Sequence, residues 1–366
     1  MIVDYEIDSI GIEGYVRLDF STWLSTLPRT GILAARSAGV NAVRPRETAL
    51  TRQLGIDVPL ICGAMYPCSN PELVAAVSAA GAIGVVQPVS MTYVYGHDYR
   101  DGLRLIKKLT DRPFGMNALI EQSSRAYMDR VRKWVDISLD EGVRFFVTSL
   151  GNPRWVVDKA AQVGGVVYHD VTERKWAQKA IDGGVHGLIA VNNVAGGHAG
   201  SLSPEALIGQ LADLGLPLVC AGGVGDPATF RRMIDMGYAG VQMGTRFIAT
   251  TECLAHADYK RAILNASPED IVLTERLTGV PVSVINNEYI HRLGTRAGPI
   301  ARYMLKHRRM KYWMRTIYHV RSLRRLKKNS LSSAGATDYW QAGKSVAGIH
   351  SVESAGQVVR EFAAAL

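Results

Sequence analysis

Eight short apolar runs recur down the middle of the chain: "VPLICGAM" (58–65), "AIGVVQP" (82–88), "PFGMNAL" (113–119), "RFFVTSL" (144–150), "GGVVYHD" (164–170), "HGLIAVN" (186–192), "LPLVCAGG" (216–223) and "AGVQMGT" (239–245). Each is apolar almost throughout rather than alternating, the pattern of a strand buried on both faces. Longer amphipathic stretches lie between them, and three follow one scheme. Asn70, Ser203 and Asp226 stand as N-caps, Pro71, Pro204 and Pro227 take the first helical position, and Gly81, Gly215 and Gly237 end the helix. Eight β–α units in series, with no long break, predict a parallel (β/α)8 TIM barrel in the α/β class; a doubly wound open sheet is the alternative. The 366 residues accommodate a barrel of about 250 residues with additions. The expected division is an N-terminal extension over 1–46, the barrel over 47–267, and a partly helical C-terminal region over 268–366 that packs on or beside it.

Charge separates that last region from the rest. Arg302 to Lys328 holds eleven Lys and Arg and no acid, more than the whole chain's net +9. The remainder is therefore slightly acidic, and the basic character belongs to one segment. Aromatic residues, Tyr312, Trp313 and Tyr318 among them, are interleaved with it. A solvated helix face or an oligomer contact is the plain reading. A membrane surface or an anionic ligand is the functional one. No recognised nucleic-acid-binding module is present.

The four cysteines, Cys62, Cys68, Cys220 and Cys253, form no CxxC pair and suggest neither zinc nor a disulfide framework. Reduced thiols in a cytoplasm are expected. The N-terminus lacks the basic-then-apolar pattern of a signal peptide, and no apolar stretch is long enough to predict a membrane span.

Chemistry in a barrel sits at the C-terminal ends of the strands. The seventh and eighth strands end in "CAGGVGDP" and "QMGTRF". Gly222 and Gly223, then Gly244 and Thr245, leave backbone N–H groups clear at two adjacent loops, either as a phosphate site or as tight turns. Gly63, Ala64 and Met65 make the first strand end small and apolar. It suits a planar ring packed on backbone, or a turn over a buried Met. Asn117, ending the third strand, either hydrogen-bonds a ligand or caps a loop. His169 and Asp170 stand at the rim of the fifth. The sixth runs into "AVNNVAGGHAG" (190–200), where His198 lies over the mouth among Gly196, Gly197 and Gly200. No paired carboxylates or His-rich pattern points to a metal.

The ordered strings "ICGAMYPCSNPELVAAVSAAGAIGVV", "RPFGMNALI", "VAGGHAG" and "CAGGVGDPATFRRMIDMGYAGVQMGTRFIAT" resemble the nitronate monooxygenase family, the 2-nitropropane dioxygenases, from about Thr51 to Cys253. The resemblance implies a barrel that binds FMN without a covalent link. Gly222, Gly223, Gly244 and Thr245 would hold its phosphate. Gly63, Ala64 and Met65 would lie along the isoalloxazine, Asn117 would contact it, and Gly197, His169 and Asp170 would complete the surround. His198 matches the family's active-site histidine, a base toward a neutral nitroalkane or a holder of the anionic nitronate, roles an imidazole near its working pKa can fill. Three positions depart. Members often carry Gly and Glu where this chain has Asn192 and Val194, and some carry Lys where it has Asp170. The implied activity is nitronate oxidation with O2. The alternative is an NAD(P)H-dependent flavin reductase acting on a quinone or an enoyl thioester, a CoA ester among them. Both take a small-molecule substrate, and either chain could be a homo-oligomer.

Overall fold

A computed structural model describes residues 47–121, 124–277, 280–296, 326–331 and 339–366. The N-terminal extension 1–46 and residues 302–325 of the basic segment lie outside these. The eight apolar runs form eight parallel strands in one closed barrel, in chain order: β1 (Leu60–Cys62), β2 (Ile83–Val86), β3 (Gly115–Ile120), β4 (Phe145–Leu150), β5 (Val166–Val171), β6 (Gly187–Val191), β7 (Leu218–Ala221) and β8 (Gly240–Met243). Closure is direct, with Leu60, Ile61 and Cys62 of β1 in register with Val241, Gln242 and Met243 of β8. A sheet closed this way leaves no unpaired edge, and the helices around it explain why the strands read as apolar on both faces.

Alternate residues fill two cores. Ile61, Val85, Phe145, Val147, Tyr168, Ile189 and Val219 pack inside the barrel. Cys62, Val86, Met116, Phe146, Val167, Leu188 and Val241 face the helices outside. A short helix before β1, α1 (Ala49–Leu54), closes the N-terminal end, and its Leu50 and Leu54 join the inner core. The Tyr168 hydroxyl, buried among them, donates to Gln53 Oε1 at 2.8 Å.

Seven helices follow the first seven strands: α2 (Pro71–Ala79), α3 (Tyr99–Leu109), α4 (Arg125–Asp140), α5 (Arg154–Ala161), α6 (Arg174–Asp182), α7 (Pro204–Leu211) and α8 (Pro227–Asp235). The Pro-initiated helices begin where the sequence places them. Ser203 and Asp226 accept from the backbone N–H of Ala206 and Thr229. Asn70 has the extended backbone of an N-cap but makes no capping bond. Its amide instead donates to Glu252 O (2.9 Å) and accepts from Leu254 N (3.2 Å), tying the start of α2 to the chain beyond β8.

After β8 the order changes. A single turn, α9 (Thr245–Ile248), is followed by α10 (Ala257–Asn265), an antiparallel pair β9 (Ile271–Thr274) and β10 (Val282–Ile285), and α11 (Glu288–Leu293). The helix completing the ring is α12 (Ala355–Ala364), the last element of the chain. It packs between α8 and α2, with Phe362 edge-on to Phe230 at 5.4 Å. Residues 249–354 are therefore an insertion between the eighth strand and its own helix. Buried Arg246 fastens the two ends of that insertion together, bonding to Ala249 O (3.1 Å), to Ser351 O (3.2 Å) and to the Glu353 carboxylate. Among the described residues no helix is long and apolar enough to cross a membrane.

Candidate active site

The C-terminal end of the barrel is built differently from the closed end. The loop after β6 is held by Asn192, which is fully buried. Its Nδ2 donates to Gly222 O (3.0 Å), and its Oδ1 accepts from Val194 N (3.0 Å). Its own carbonyl accepts from Gly200 N (3.0 Å). One side chain thus fixes the histidine loop and couples it to the glycine loop after β7. This gives a local reason for Asn192: a residue with both a donor and an acceptor is needed where two backbones meet without water.

Gly222 and Gly223 have φ of 116° and 82°, the region L side chains avoid. A Cβ on Gly222 would also run into Asn192 Oδ1 and Ala195, and one on Gly223 would meet Val194 Cγ2. Gly244 approaches Met65, whose sulfur lies 3.4 Å from where a Cβ would stand. The ends of β1, β7 and β8 thus carry Gly63, Ala64, Met65, Gly222, Gly223, Gly244 and Thr245 to one end of the barrel, and at four of these positions the absence of a Cβ leaves room for a neighbour: Gln242 at Gly63, Asn192 at Gly222, Val194 at Gly223 and Met65 at Gly244.

Strand parity sorts the rest. Asn117 lies between Met116 and Ala118, which face the helices, so it faces the lumen. Asp170 follows Tyr168 on the inner face of β5, and its Oδ1 is enclosed with no hydrogen-bond partner among the described residues. Gln242, on the inner face of β8, has its buried Oε1 in the same state. Burial pushes the Asp170 carboxyl up to about 7 from its usual 3.8. His169 alternates to the outer face, away from the lumen, which separates it from the cofactor surround expected of it. Its Nδ1 lies 2.8 Å from Thr148 Oγ1, and burial pulls its pKa down to about 4, so it is a neutral imidazole packed under the helices. His198 is exposed in the β6 loop, beside Gly197, whose carbonyl accepts from Ser283 N (2.7 Å).

That last bond belongs to a contribution the sequence did not announce. The insertion returns over the barrel, and residues 341–345 lie across the loops after β6, β7 and β8. Gly343 N–H donates to Thr245 Oγ1 (3.1 Å), and Lys344 N–H donates to Val194 O (3.0 Å). Gly343 and Gly196 touch so closely that a Cβ on either would strike the other's backbone. The Thr245 hydroxyl is thereby engaged by the chain itself, leaving its backbone for a ligand. On the far side the insertion reaches the helical turn Ser90–Val94 that follows β2: Lys327 Nζ donates to Tyr93 O (2.8 Å) and lies 4.3 Å from the centre of its ring. The signal for residues 341–345 was the small pair Ala342–Gly343 set between Trp340 and Val346 in a stretch read as loop. For Gln242 it was a lone amide inside an apolar strand.

A cleft of about 340 Å³ opens behind the glycine loop, between the first turns of α7 and α8 and roofed by Pro268 and Lys344. Arg232 and Lys344 border it.

A closed parallel barrel with a glycine-lined mouth and enclosed, unsatisfied acceptors is the architecture of a cofactor-using enzyme whose cofactor meets backbone. The sequence pattern of the nitronate monooxygenase family matches residues 47–364, and the chain belongs to that family of flavin-dependent oxidoreductases. The match extends past the Cys253 boundary of the recognisable strings because the closing helix lies at the chain's far end. Relatives divide in name. The chain is 30% identical over 257 residues (69% of this chain, 70% of the other) to (3aS,4S,5R,7aS)-5-hydroxy-7a-methyl-1-oxo-octahydro-1H-indene-4-carboxyl-CoA dehydrogenase of Mycobacterium tuberculosis. It is 29% identical over 272 residues (63% of this chain, 77% of the other) to the nitronate monooxygenase of Pseudomonas aeruginosa. Among solved structures, FabK from Thermotoga maritima superposes with a TM-score of 0.73 at 24% identity, over 87% of this chain and 96% of that one. At that identity the likeness speaks to fold alone.

Proposed function

We propose that the protein is an FMN-dependent monooxygenase of alkyl nitronates, using O2, with His198 as the base or anion holder. The observation carrying this reading is a barrel mouth where the ends of β1, β7 and β8 are rich in glycine and where two enclosed acceptors, Asp170 Oδ1 and Gln242 Oε1, stand without partners among the described residues. It fits a flat, phosphate-tailed cofactor. Gly222, Gly223, Gly244 and the Thr245 backbone would hold the phosphate through N–H donors. Gly63, Ala64 and Met65 would bed the ring, with Asn117 at its edge. Bound FMN would supply the electron chemistry; the protein's part is orientation, water exclusion and proton handling. His198, on a loop fixed by Asn192, would take the carbon-bound proton of a nitroalkane or, once protonated, hold the nitronate.

A second reading, a reductase or dehydrogenase of CoA esters using NAD(P)H, is favoured by the cleft behind the glycine loop. Arg232 and Lys344 line it with a single acid, Glu205, and this net positive lining suits a phosphorylated ligand. Anaerobic mixing separates the readings. Ethylnitronate should bleach the yellow enzyme within seconds while NADH and NADPH leave it coloured; rapid bleaching by NADPH overturns the first reading in favour of the second. His198→Ala should retain FMN and lose turnover of neutral nitroalkanes at least about a hundredfold, the usual scale of a general base. Normal turnover in that variant removes His198 from the chemistry.

A further inference from the structure

Asp170 is the one carboxylate on the inner face of the eight strands. It sits one layer above Tyr168, at the level where the lumen opens. The strands on either side present Val147 and Ser149 from β4 and Ile189 and Val191 from β6, none of them ionisable. No Lys, Arg or His lies on the inner face of any strand, and no described residue pairs with Asp170 Oδ1. The residue is thus only partly exposed, with Oδ1 enclosed, on an inner face whose strands carry no cation.

We infer that Asp170 is a cofactor-positioning acid: the loaded enzyme holds it as the neutral carboxylic acid, and binding of FMN takes up one proton from solution. The inference rests on the reading of the lumen as an FMN site. A flat ring settling on the mouth removes the water that still reaches the side chain. A carboxylate would then be left with neither solvent nor a cation, the costly state that buried charges escape by neutralising. The free protein is already close to doing so, since burial alone raises this group to about 7. Protonation also supplies an O–H donor, and the flavin ring offers acceptors around its edge. The proton balance is simple: one proton passes from solvent to the carboxylate, and no bond to the cofactor forms.

The sign follows by linkage. Below about pH 7 the acid is already protonated and binding costs nothing extra. Above it, FMN affinity falls up to tenfold per pH unit. The phosphate of FMN titrates near pH 6, and this contribution is common to wild type and variants.

The test is titration of apo-protein with FMN from pH 6 to 9, read by quenching of flavin fluorescence. Calorimetry at pH 8 in two buffers of different ionisation enthalpy counts protons. Wild type should lose about tenfold in affinity between pH 7.5 and 8.5 and take up about one proton. Asp170→Asn and Asp170→Ser should show neither effect and should bind more tightly than wild type at pH 8.5. Wild type that binds FMN without taking up a proton overturns the inference whatever the variants do, as does an unchanged pH slope in a folded variant. Wild type that binds no FMN at any pH sinks the functional reading itself, a distinguishable result.

Discussion

The two ends of the barrel are made of the same eight strands and have opposite chemistry. At the N-terminal end, Leu50 and Leu54 plug the lumen and Tyr168 finds Gln53. At the C-terminal end, two residues further along the inner face of β5, Asp170 Oδ1 finds no partner, and across the lumen neither does Gln242 Oε1. Native interiors satisfy nearly all their buried polar atoms, and on the proposed function these two acceptors are the ones a bound ligand would meet; the other two orphaned atoms among the described residues, Trp155 Nε1 and Ser330 Oγ, lie outside the strands. One end is spent on stability, and the other is held ready for chemistry.

Substitutions can break this contrast, and the largest effect should come at the top. Gly222→Val adds a side chain at a φ of 116° and drives it into Asn192 and Ala195. A loss of about 3–6 kcal/mol in chemical unfolding is expected, from backbone strain and overpacking together, along with loss of flavin binding. A variant that keeps wild-type flavin affinity would show that the glycine loop is not the cradle. At the closed end, Leu50→Ala should cost about 2–5 kcal/mol as a core cavity, with flavin affinity unchanged. A large change in affinity would mean that the two ends are coupled.

His169 tests the same contrast through pH. Its folded pKa of about 4 lies below the ordinary 6.5, so the folded state holds the neutral ring. Its contribution is complete above about pH 6.5 and is lost as pH falls toward 4. Between pH 7.5 and 4.5 wild type should lose roughly 2–3 kcal/mol more than His169→Asn in urea unfolding. Equal losses would place His169 in contact with solvent or the lumen. The smallest effect belongs to Lys327→Ala on the roof. Its bond to Tyr93 O and its contact with the ring contribute no more than about 1 kcal/mol, and FMN affinity should not move.

Much of this was legible in the chain before any coordinates. A run buried on both faces advertises itself by apolarity alone, so all eight strands and the Pro-initiated helices could be placed. The glycine pairs at strands seven and eight were equally visible. The face that the His169 side chain takes was not legible, because a residue's position at a strand's end says nothing about that until the neighbour's burial fixes the parity. Asn192 was visible as a departure but not as a brace, since the partner that joins it to a second loop, Gly222 O, is thirty residues away. Gly343 and Lys344 showed only as part of a run with small residues, not as site residues, because their contacts reach from 98 residues away at Thr245 to roughly 150 at Val194 and carry no local period. The closing helix was legible as a helix, but its pattern alone cannot say which gap in the ring it fills.

That closing helix has a consequence for how the protein is made. The chain emerges from the ribosome N-terminus first, and domains generally fold as they become complete. Here β8 is finished long before α12 exists, so a nascent chain carrying all eight strands still has bare apolar groove between α8 and α2. The groove stays bare while residues 249–354 are added, and the contact that seals it has a high sequence separation, which slows folding. A protein stalled or truncated within the insertion would thus be a barrel with one stave missing, a natural substrate for chaperones and a natural seed for aggregation.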